Sequence, residues 1–164
     1  MHTLRTLLLG LIFFLAGHAA TAQDFGSAIG LRFGYPLSVS YKNFLDQSSA
    51  VEVYAGLRGW GNYRWFSING AYQVHNDITE VYGLQWYYGG GLGVQFWSYD
   101  FVEESSTTLS LSGYLGLQYT FTDTPVTFSL DWVPTVFIGK TLGNGFNRFG
   151  AGYGALAARY ILFR

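Results

Sequence analysis

Acid–base chemistry in this chain would centre on His75, because its other two histidines are His2 and His18 at the extreme N-terminus. A histidine that activates a nucleophile, as in a lipid-modifying enzyme, needs a serine and an acid within reach. Asn76 and Asp77 follow His75, but no serine stands at a matching spacing. Asn and Asp favour turns, because their side chains bond their own backbone. We therefore predict a turn at 75–77, no catalytic residues and no enzyme activity.

Two further segments could bind ions. Asp100, Glu103 and Glu104 form an acidic stretch, and clustered carboxylates suit calcium or a calcium-bridged lipopolysaccharide. The Gly-Asn-Gly sequence at 143–145 could suggest a phosphate loop, but no Lys-Ser/Thr pair or helix pattern follows it. The chain has no cysteine, which excludes disulfides and thiolate metal sites. We interpret both segments as solvated loops and predict no metal and no cofactor.

The remaining candidate site residues are six charged residues within segments of alternating sequence. Each falls among the small and polar residues of a segment in which large apolar residues alternate with small or polar ones. They are Arg32, Lys42, Glu52, Arg58, Asp131 and Arg159. This shared position predicts that all six point to the same side of whatever sheet contains them.

Eight segments show this period-2 alternation, which is typical of the strands of transmembrane barrels. They span 27–35, 37–44, 50–58, 64–75, 85–97, 109–121, 126–138 and 149–163. In the first segment Ile29, Leu31 and Phe33 belong to the large apolar set, and Arg32 belongs to the small or polar set. The glycine-rich start of the eighth segment does not fix its faces.

Composition decides which set faces outward. The chain is 49% hydrophobic and only 12% charged, whereas soluble domains carry roughly 25% charged residues. After residue 22 no apolar run approaches the roughly 18 residues of a membrane-spanning helix, and a closed barrel is the other way to satisfy every backbone group in lipid. We predict an all-β, eight-stranded, antiparallel up-and-down transmembrane β-barrel whose charged residues face a narrow lumen.

The N-terminus predicts export. A basic start precedes an apolar run from Leu7 to Ala16, and Ala20-Thr21-Ala22 provides a small-residue cleavage site. We therefore predict a signal peptide over 1–22 and a single barrel domain over 23–164, with an N-terminal membrane anchor as the alternative. No cysteine follows the site, which argues against a lipoprotein anchor.

An even number of strands places both termini in the periplasm. The external loops then fall at 36–37, 59–63, 98–108 and 139–148, and the periplasmic turns at 45–49, 76–84 and 122–125. Three features fit this topology poorly. The first external loop, 36–37, is very short, and the turn at 76–84 is long for a periplasmic turn. Pro134 within the seventh segment requires a rim or a bulge.

Five stretches resemble a family of small outer-membrane β-barrel proteins, often called porin-like, that is common in Bacteroidetes. They are IGLRFGYP at 29–36, YKNFL at 41–45, VHNDI at 74–78, WYYGGG at 86–91 and SLDWVP at 129–134. The resemblance covers nearly the whole chain after residue 22 and implies an outer-membrane barrel, but most members have no assigned activity. Such barrels usually end on an aromatic residue, whereas here Phe163 is followed by Arg164.

The lumen residues bear on function. An eight-stranded barrel has an interior just wide enough for its own side chains, and the bulky inward residues are Tyr54, Tyr87, Gln95, Tyr114 and Gln118. We therefore expect a filled, non-conducting lumen and a structural or surface-interaction role. The alternatives are a narrow porin-like channel and a lipid-modifying outer-membrane enzyme.

Partners and location follow from the same properties. We expect a monomer in the outer membrane of a Gram-negative bacterium, in contact with outer-membrane lipid and with an extracellular partner through its external loops. The net charge of −1 gives no electrostatic basis for binding nucleic acid.

The depth of the charges predicts ion pairs. Strand eight must pair with strands seven and one, so Asp131 is expected near Arg159, Arg32 or both. A lone carboxylate in a lumen closed to bulk water would be costly, and an arginine offsets that cost through charge-assisted hydrogen bonds. Lys42 and Glu52 face each other across a turn and are expected to form a second pair.

Overall fold

The computed structural model describes residues 26–34, 36–60, 63–99, 105–138, 149–150 and 153–163, and these residues form eight strands. The first six are β1 (Ser27–Gly34), β2 (Leu37–Phe44), β3 (Ser49–Trp60), β4 (Tyr63–Asp77), β5 (Leu84–Tyr99) and β6 (Ser105–Thr120). The last two are each in two segments, β7 (Val126–Trp132 and Thr135–Ile138) and β8 (Phe149–Gly150 and Gly154–Phe163). The predicted signal peptide lies outside the described residues.

Every strand pairs antiparallel with its neighbour in the chain, and the first strand pairs with the last. At this closing seam Gly30 lies opposite Arg159, and the Gly26 amide donates to the Phe163 carbonyl at 2.7 Å. The predicted eight-stranded antiparallel barrel is therefore confirmed. The part of the chain described here contains no helix that is both long and apolar enough to cross a membrane.

The alternation assigns the two faces of the barrel as predicted. In β1 the side chains of Ile29, Leu31 and Phe33 are 43 to 52% exposed, whereas Arg32 between them is only 2% exposed. The same pattern continues through the other strands, with exposed leucines and aromatic residues outside and buried serines, threonines and glutamines inside. This arrangement inverts that of a water-soluble protein, in which large apolar side chains are buried.

The connections at one end of the barrel all lie within the described residues, and we call this end the turn end. It holds Gly26, Phe163 and the turns at 45–48, 78–83 and 121–125. In the first of these turns the amides of Ser48 and Ser49 donate to the Asp46 carboxylate and hold its pKa below the ordinary value. We call the opposite end the loop end. The predicted loop residues 100–104 and 139–148, with Asp100, Glu103, Glu104 and the 143–145 sequence, lie outside the described residues.

Pro134 lies between the two segments of β7, where the pairing with β8 shifts. Trp132 pairs with Gly154 and Thr135 with Gly150, so three steps along β7 match four along β8. This one-residue mismatch is a β-bulge, one of the two settings expected for a proline within this strand. The Gly113 amide still donates to the Pro134 carbonyl at 2.9 Å, so the ladder with β6 continues past the proline.

Glycines on the two faces of the wall meet different surroundings. A Cβ added to lumen-facing Gly116 would lie 2.6 Å from Cζ of Tyr87 and 2.8 Å from the Leu130 carbonyl oxygen. A Cβ added to outward-facing Gly70 would meet no atom within 4 Å. Gly116 is therefore required by close packing inside the barrel, whereas Gly70 is not.

We predict that Gly116→Ala destabilises the barrel by about 1–3 kcal/mol, because the methyl group overpacks the lumen. Gly70→Ala is the matched control and is expected to be neutral or stabilising by up to about 1 kcal/mol. Guanidinium unfolding of both variants in detergent micelles measures the difference. Equal stability of the two variants would contradict the packing of this part of the lumen.

Candidate functional site

Four charged side chains meet in the middle of the lumen. Arg32 of β1, Glu52 of β3, Asp131 of β7 and Arg159 of β8 form what we call the lumen cluster. All four side chains are at most 3% exposed. Each occupies an inward position of its strand, so the period-2 geometry of the strands brings them to the same space.

Glu52 is the centre of the lumen cluster. Its Oε1 accepts a hydrogen bond from Arg32 Nη1 at 3.1 Å and another from Arg159 Nη2. Its Oε2 accepts from Gln73 Nε2 at 2.9 Å. Both carboxylate oxygens are thus bonded, which a buried charge requires if it is to remain ionised at tolerable cost.

Asp131 is bonded in a similar way from the other side. Arg32 Nη2 donates to its carboxylate at 3.0 Å, and the Tyr87 hydroxyl donates to Oδ2 at 2.8 Å. Arg32 therefore bridges two carboxylates, and its guanidinium also lies 4.6 Å from the centre of the Tyr54 ring. A planar guanidinium with several N–H donors is suited to this bridging role, which a lysine could not reproduce.

Arg159 pairs with Glu52 rather than with Asp131. Its Nε donates to Ser40 Oγ at 3.0 Å and its Nη1 to Ser129 Oγ at 2.8 Å. Of the two arginines expected beside Asp131, only Arg32 contacts it. The stagger between neighbouring strands is the cause, because Arg159 lies opposite Thr127 on β7 while Asp131 lies opposite Ala155 on β8.

The predicted Lys42–Glu52 ion pair is wrong. The two residues are partners in the β2–β3 ladder, yet Lys42 Nζ donates to Gln118 Oε1 at 3.0 Å on the far side of the lumen. The ammonium also lies 4.6 Å from the centre of the Tyr87 ring. The oxygens of Glu52 are already bonded by its other partners, so Lys42 is stabilised by an amide oxygen and an aromatic face instead.

The predicted turn at 75–77 is also wrong, because β4 continues to Asp77. His75 is an inward residue, only 3% exposed, and its ring packs between those of Phe44 and Tyr87 at centroid distances of 4.9 and 4.7 Å. Its Nε2 lies 3.4 Å from Lys42 Nζ. His75 ends the predicted segment 64–75 and has the inward position that the alternation gives it, and the strand continues two residues further against the turn preference of the sequence. Within the described ranges no three His, Asp or Glu residues are grouped so as to hold a metal ion.

Tyrosine hydroxyls and a small cavity with neutral walls lie on the loop-end side of the lumen cluster. The hydroxyls of Tyr54 and Tyr114 are hydrogen-bonded at 2.7 Å across the barrel, next to the lumen cluster. Beyond them lies a cavity of about 30 Å³ whose walls include Ser67, Asn69 and Gln95. A cavity needs at least about 10–15 Å³ to hold one water molecule, so this cavity has room for about two water molecules.

The sixth predicted lumen charge, Arg58, lies nearer the loop end than the lumen cluster. It is half-buried near the loop end of β3, opposite Trp65. The five residues expected to fill the lumen are all buried there, namely Tyr54, Tyr87, Gln95, Tyr114 and Gln118.

Three uncharged partners of the lumen cluster were not singled out from the sequence. They are Ser40, Gln73 and Ser129, and each satisfies a charged atom directly. The inward position of each was predictable from the alternation, but its role depends on which strands face each other across the lumen. With these partners and the Lys42–Gln118 bond, the polar contacts link residues from all eight strands.

No model of a known protein family matches the chain, and no curated protein sequence does so either. Two solved structures share its fold. The N-terminal β-barrel domain of OprF from Pseudomonas aeruginosa is 15% identical with a TM-score of 0.57, covering 82% of this chain and 93% of that one. Neisserial surface protein A (NspA) is 17% identical with a TM-score of 0.54, covering 82% of this chain and 92% of that one. At these identities the likeness concerns the fold, so function must be argued from this chain's own residues.

We predict that Glu52→Gln destabilises the barrel by about 3–5 kcal/mol, because it leaves two buried arginines facing a single carboxylate. Glu80→Gln, the same change in the exposed turn 78–83, is the control and is expected to alter stability by less than about 0.5 kcal/mol. Equilibrium unfolding in detergent micelles measures both. A loss in Glu52→Gln no larger than in the control would show that the buried charge is dispensable.

Proposed function

We propose that this chain is an integral outer-membrane barrel with a closed lumen, serving a structural or surface-interaction role in the cell envelope. The observation that carries the proposal is the inverted distribution of side chains. Leu57 and Leu92 are 68 and 69% exposed on the outside of the wall, whereas Arg159 inside it is 1% exposed. Only surroundings as apolar as lipid make such an outer surface favourable.

The same surface supports the proposed location and partners. A signal peptide over 1–22 would deliver the chain through the inner membrane of a Gram-negative bacterium, and outer-membrane lipid would surround the apolar belt. Closure of β1 on β8 pairs the first strand with the last from Ser27 to Gly34 and so covers the edges of the sheet there, which favours a monomer. The quoted sequence motifs lead us to place the chain among the small Bacteroidetes-type barrels, with the external loops available to an extracellular partner.

The side chains inside the barrel disfavour the two alternatives, a porin-like channel and a lipid-modifying enzyme. A porin-like channel needs a continuous water-filled path, whereas the buried ion pairs and the Tyr54–Tyr114 contact occupy the middle of the lumen. A lipid-modifying enzyme needs its base at the lipid-facing surface or the rim, whereas His75 is enclosed by Phe44 and Tyr87. We therefore propose that the protein has a structural role in the envelope or binds partners through its exposed surface, rather than catalysing a reaction.

A single substitution distinguishes a lipid-facing surface from a water-facing one. Leu92→Arg should prevent assembly, because arginine at the middle of the membrane costs about 2–4 kcal/mol on a barrel's lipid face. The control is Leu45→Arg, the same change at a half-exposed residue of the turn 45–48, where the cost falls to about 0–1 kcal/mol.

Outer-membrane fractionation and the faster gel migration of unboiled folded barrel provide the measurement. The unaltered protein and Leu45→Arg should appear folded in the outer-membrane fraction, and Leu92→Arg should not. A soluble periplasmic product without a gel shift, unaffected by Leu92→Arg, would exclude the membrane barrel.

A further inference from the structure

A groove opens at the turn end, between the turn 78–83 and the start of the turn 121–125. Its volume is about 280 Å³, and the residues around it include Asp77, Val81, Tyr82 and Phe121. This volume approaches the lower end of the range of small-ligand pockets, roughly 300 Å³. The groove lies far along the barrel from the Tyr54–Tyr114 contact and takes no part in filling the lumen.

The turn that forms one wall of the groove is held in a defined shape. The Ile78 amide donates to the Leu84 carbonyl at 2.9 Å, and the Thr120 amide donates to the Gly83 carbonyl at 2.8 Å, which ties the turn to β6. Gly83 has φ of +80°, a left-handed conformation that favours glycine. A two-residue loop suffices to join two antiparallel strands, so the extra residues of this turn are not needed for the barrel itself.

Those extra residues expose apolar surface at the rim, beside the aromatic side chains of the barrel wall, since the Phe121 ring packs against those of Tyr119 and Phe128. Tyr82 is 74% exposed and Val81 is 45% exposed, and Phe121 on the facing turn is 37% exposed. Two aromatic rings and an aliphatic side chain thus line one groove at the rim. Contiguous exposed apolar surface of this kind marks interaction sites.

The charge around the groove has one sign. Asp77 lines it, and Gln85 Nε2 donates to its Oδ1 at 2.8 Å, which fixes the carboxylate. Glu80 and Asp123 are exposed on the two turns that form the groove. The described residues of the three turns include the acids Asp46, Glu80 and Asp123, and neither lysine nor arginine. A cationic ligand therefore complements the described residues around the groove.

We propose that the groove binds a lysine- or arginine-bearing extended segment of another protein. One cationic side chain binds the Asp77 carboxylate, and its aliphatic stem packs on the rings of Tyr82 and Phe121. Long basic side chains suit this combination, because they carry an apolar stem and a charged end, and a cation beside an aromatic face gains further stabilisation. Glu80 and Asp123 extend the attraction to neighbouring basic residues of the segment.

The experiment uses the full barrel in nanodiscs of zwitterionic lipid, so that the bilayer itself does not attract a basic peptide. The probe is tetralysine, with tetraglutamate as the opposite-charge control, and binding is followed by calorimetry. We expect saturable binding of tetralysine alone that weakens as salt is raised, since salt screens exposed charges. Asp77→Asn and Tyr82→Ala should each weaken it about fivefold, the change that corresponds to about 1 kcal/mol, and Tyr82→Phe should retain it.

The control is Asp46→Asn, which removes the same charge at the same end but outside the groove and should bind like the unaltered protein. All variants change exposed or rim residues, and the gel shift verifies that each barrel is folded before binding is measured. If Asp46→Asn and Asp77→Asn weaken tetralysine binding equally, the binding depends on the overall negative charge of this end of the barrel and not on the groove, which would overturn the proposed site. Absence of saturable binding, equal binding of tetraglutamate, or displacement by Ca²⁺ at constant ionic strength would overturn it as well.

Discussion

The barrel depends on one shared carboxylate. Glu52 of β3 accepts hydrogen bonds from Arg32 of β1 and Arg159 of β8, the two strands that form the closing seam. Burying a charge is costly unless it is paired and fully hydrogen-bonded. Placing the carboxylate and both guanidiniums in one lumen therefore favours the closed arrangement, in which all three are satisfied together. An open sheet would leave these charges without their partners.

The size of the lumen residues follows from this constraint. The Tyr87 side chain must reach Asp131 from β5, and Gly116 on the intervening strand β6 leaves the space that its ring occupies. Serines on the inner face act similarly, because Ser40 and Ser129 are small enough to admit Arg159 and still accept its hydrogen bonds. Small residues inside and large apolar residues outside are thus two consequences of a polar core within an apolar belt.

The sequence predicts the parts of this structure that are local. Period-2 alternation gives the eight strands and the inward position of the buried charges Arg32, Lys42, Glu52, Asp131 and Arg159, because side-chain direction follows from the backbone of a single strand. Contacts across the lumen depend on the stagger accumulated around the barrel, which no single strand encodes. The alternation therefore leaves open whether Asp131 meets Arg32, Arg159 or both, and the structure pairs it with Arg32. Likewise Lys42 reaches Gln118 rather than its ladder partner Glu52. His75 shows the reverse case, since the strand pattern prevails over the turn preference of the residues that follow it.

The central claim is that the lumen cluster closes the interior of the barrel. Single-channel recording in planar bilayers tests it most directly, with purified protein whose folding has been verified by the gel shift. The account predicts no steady channel opening from the unaltered protein, because the buried ion pairs of Arg32, Glu52, Asp131 and Arg159 occupy the middle of the lumen. Reproducible single-channel currents whose ion selectivity changes in the Arg32→Ala variant would contradict it, because ions would then pass through the cluster.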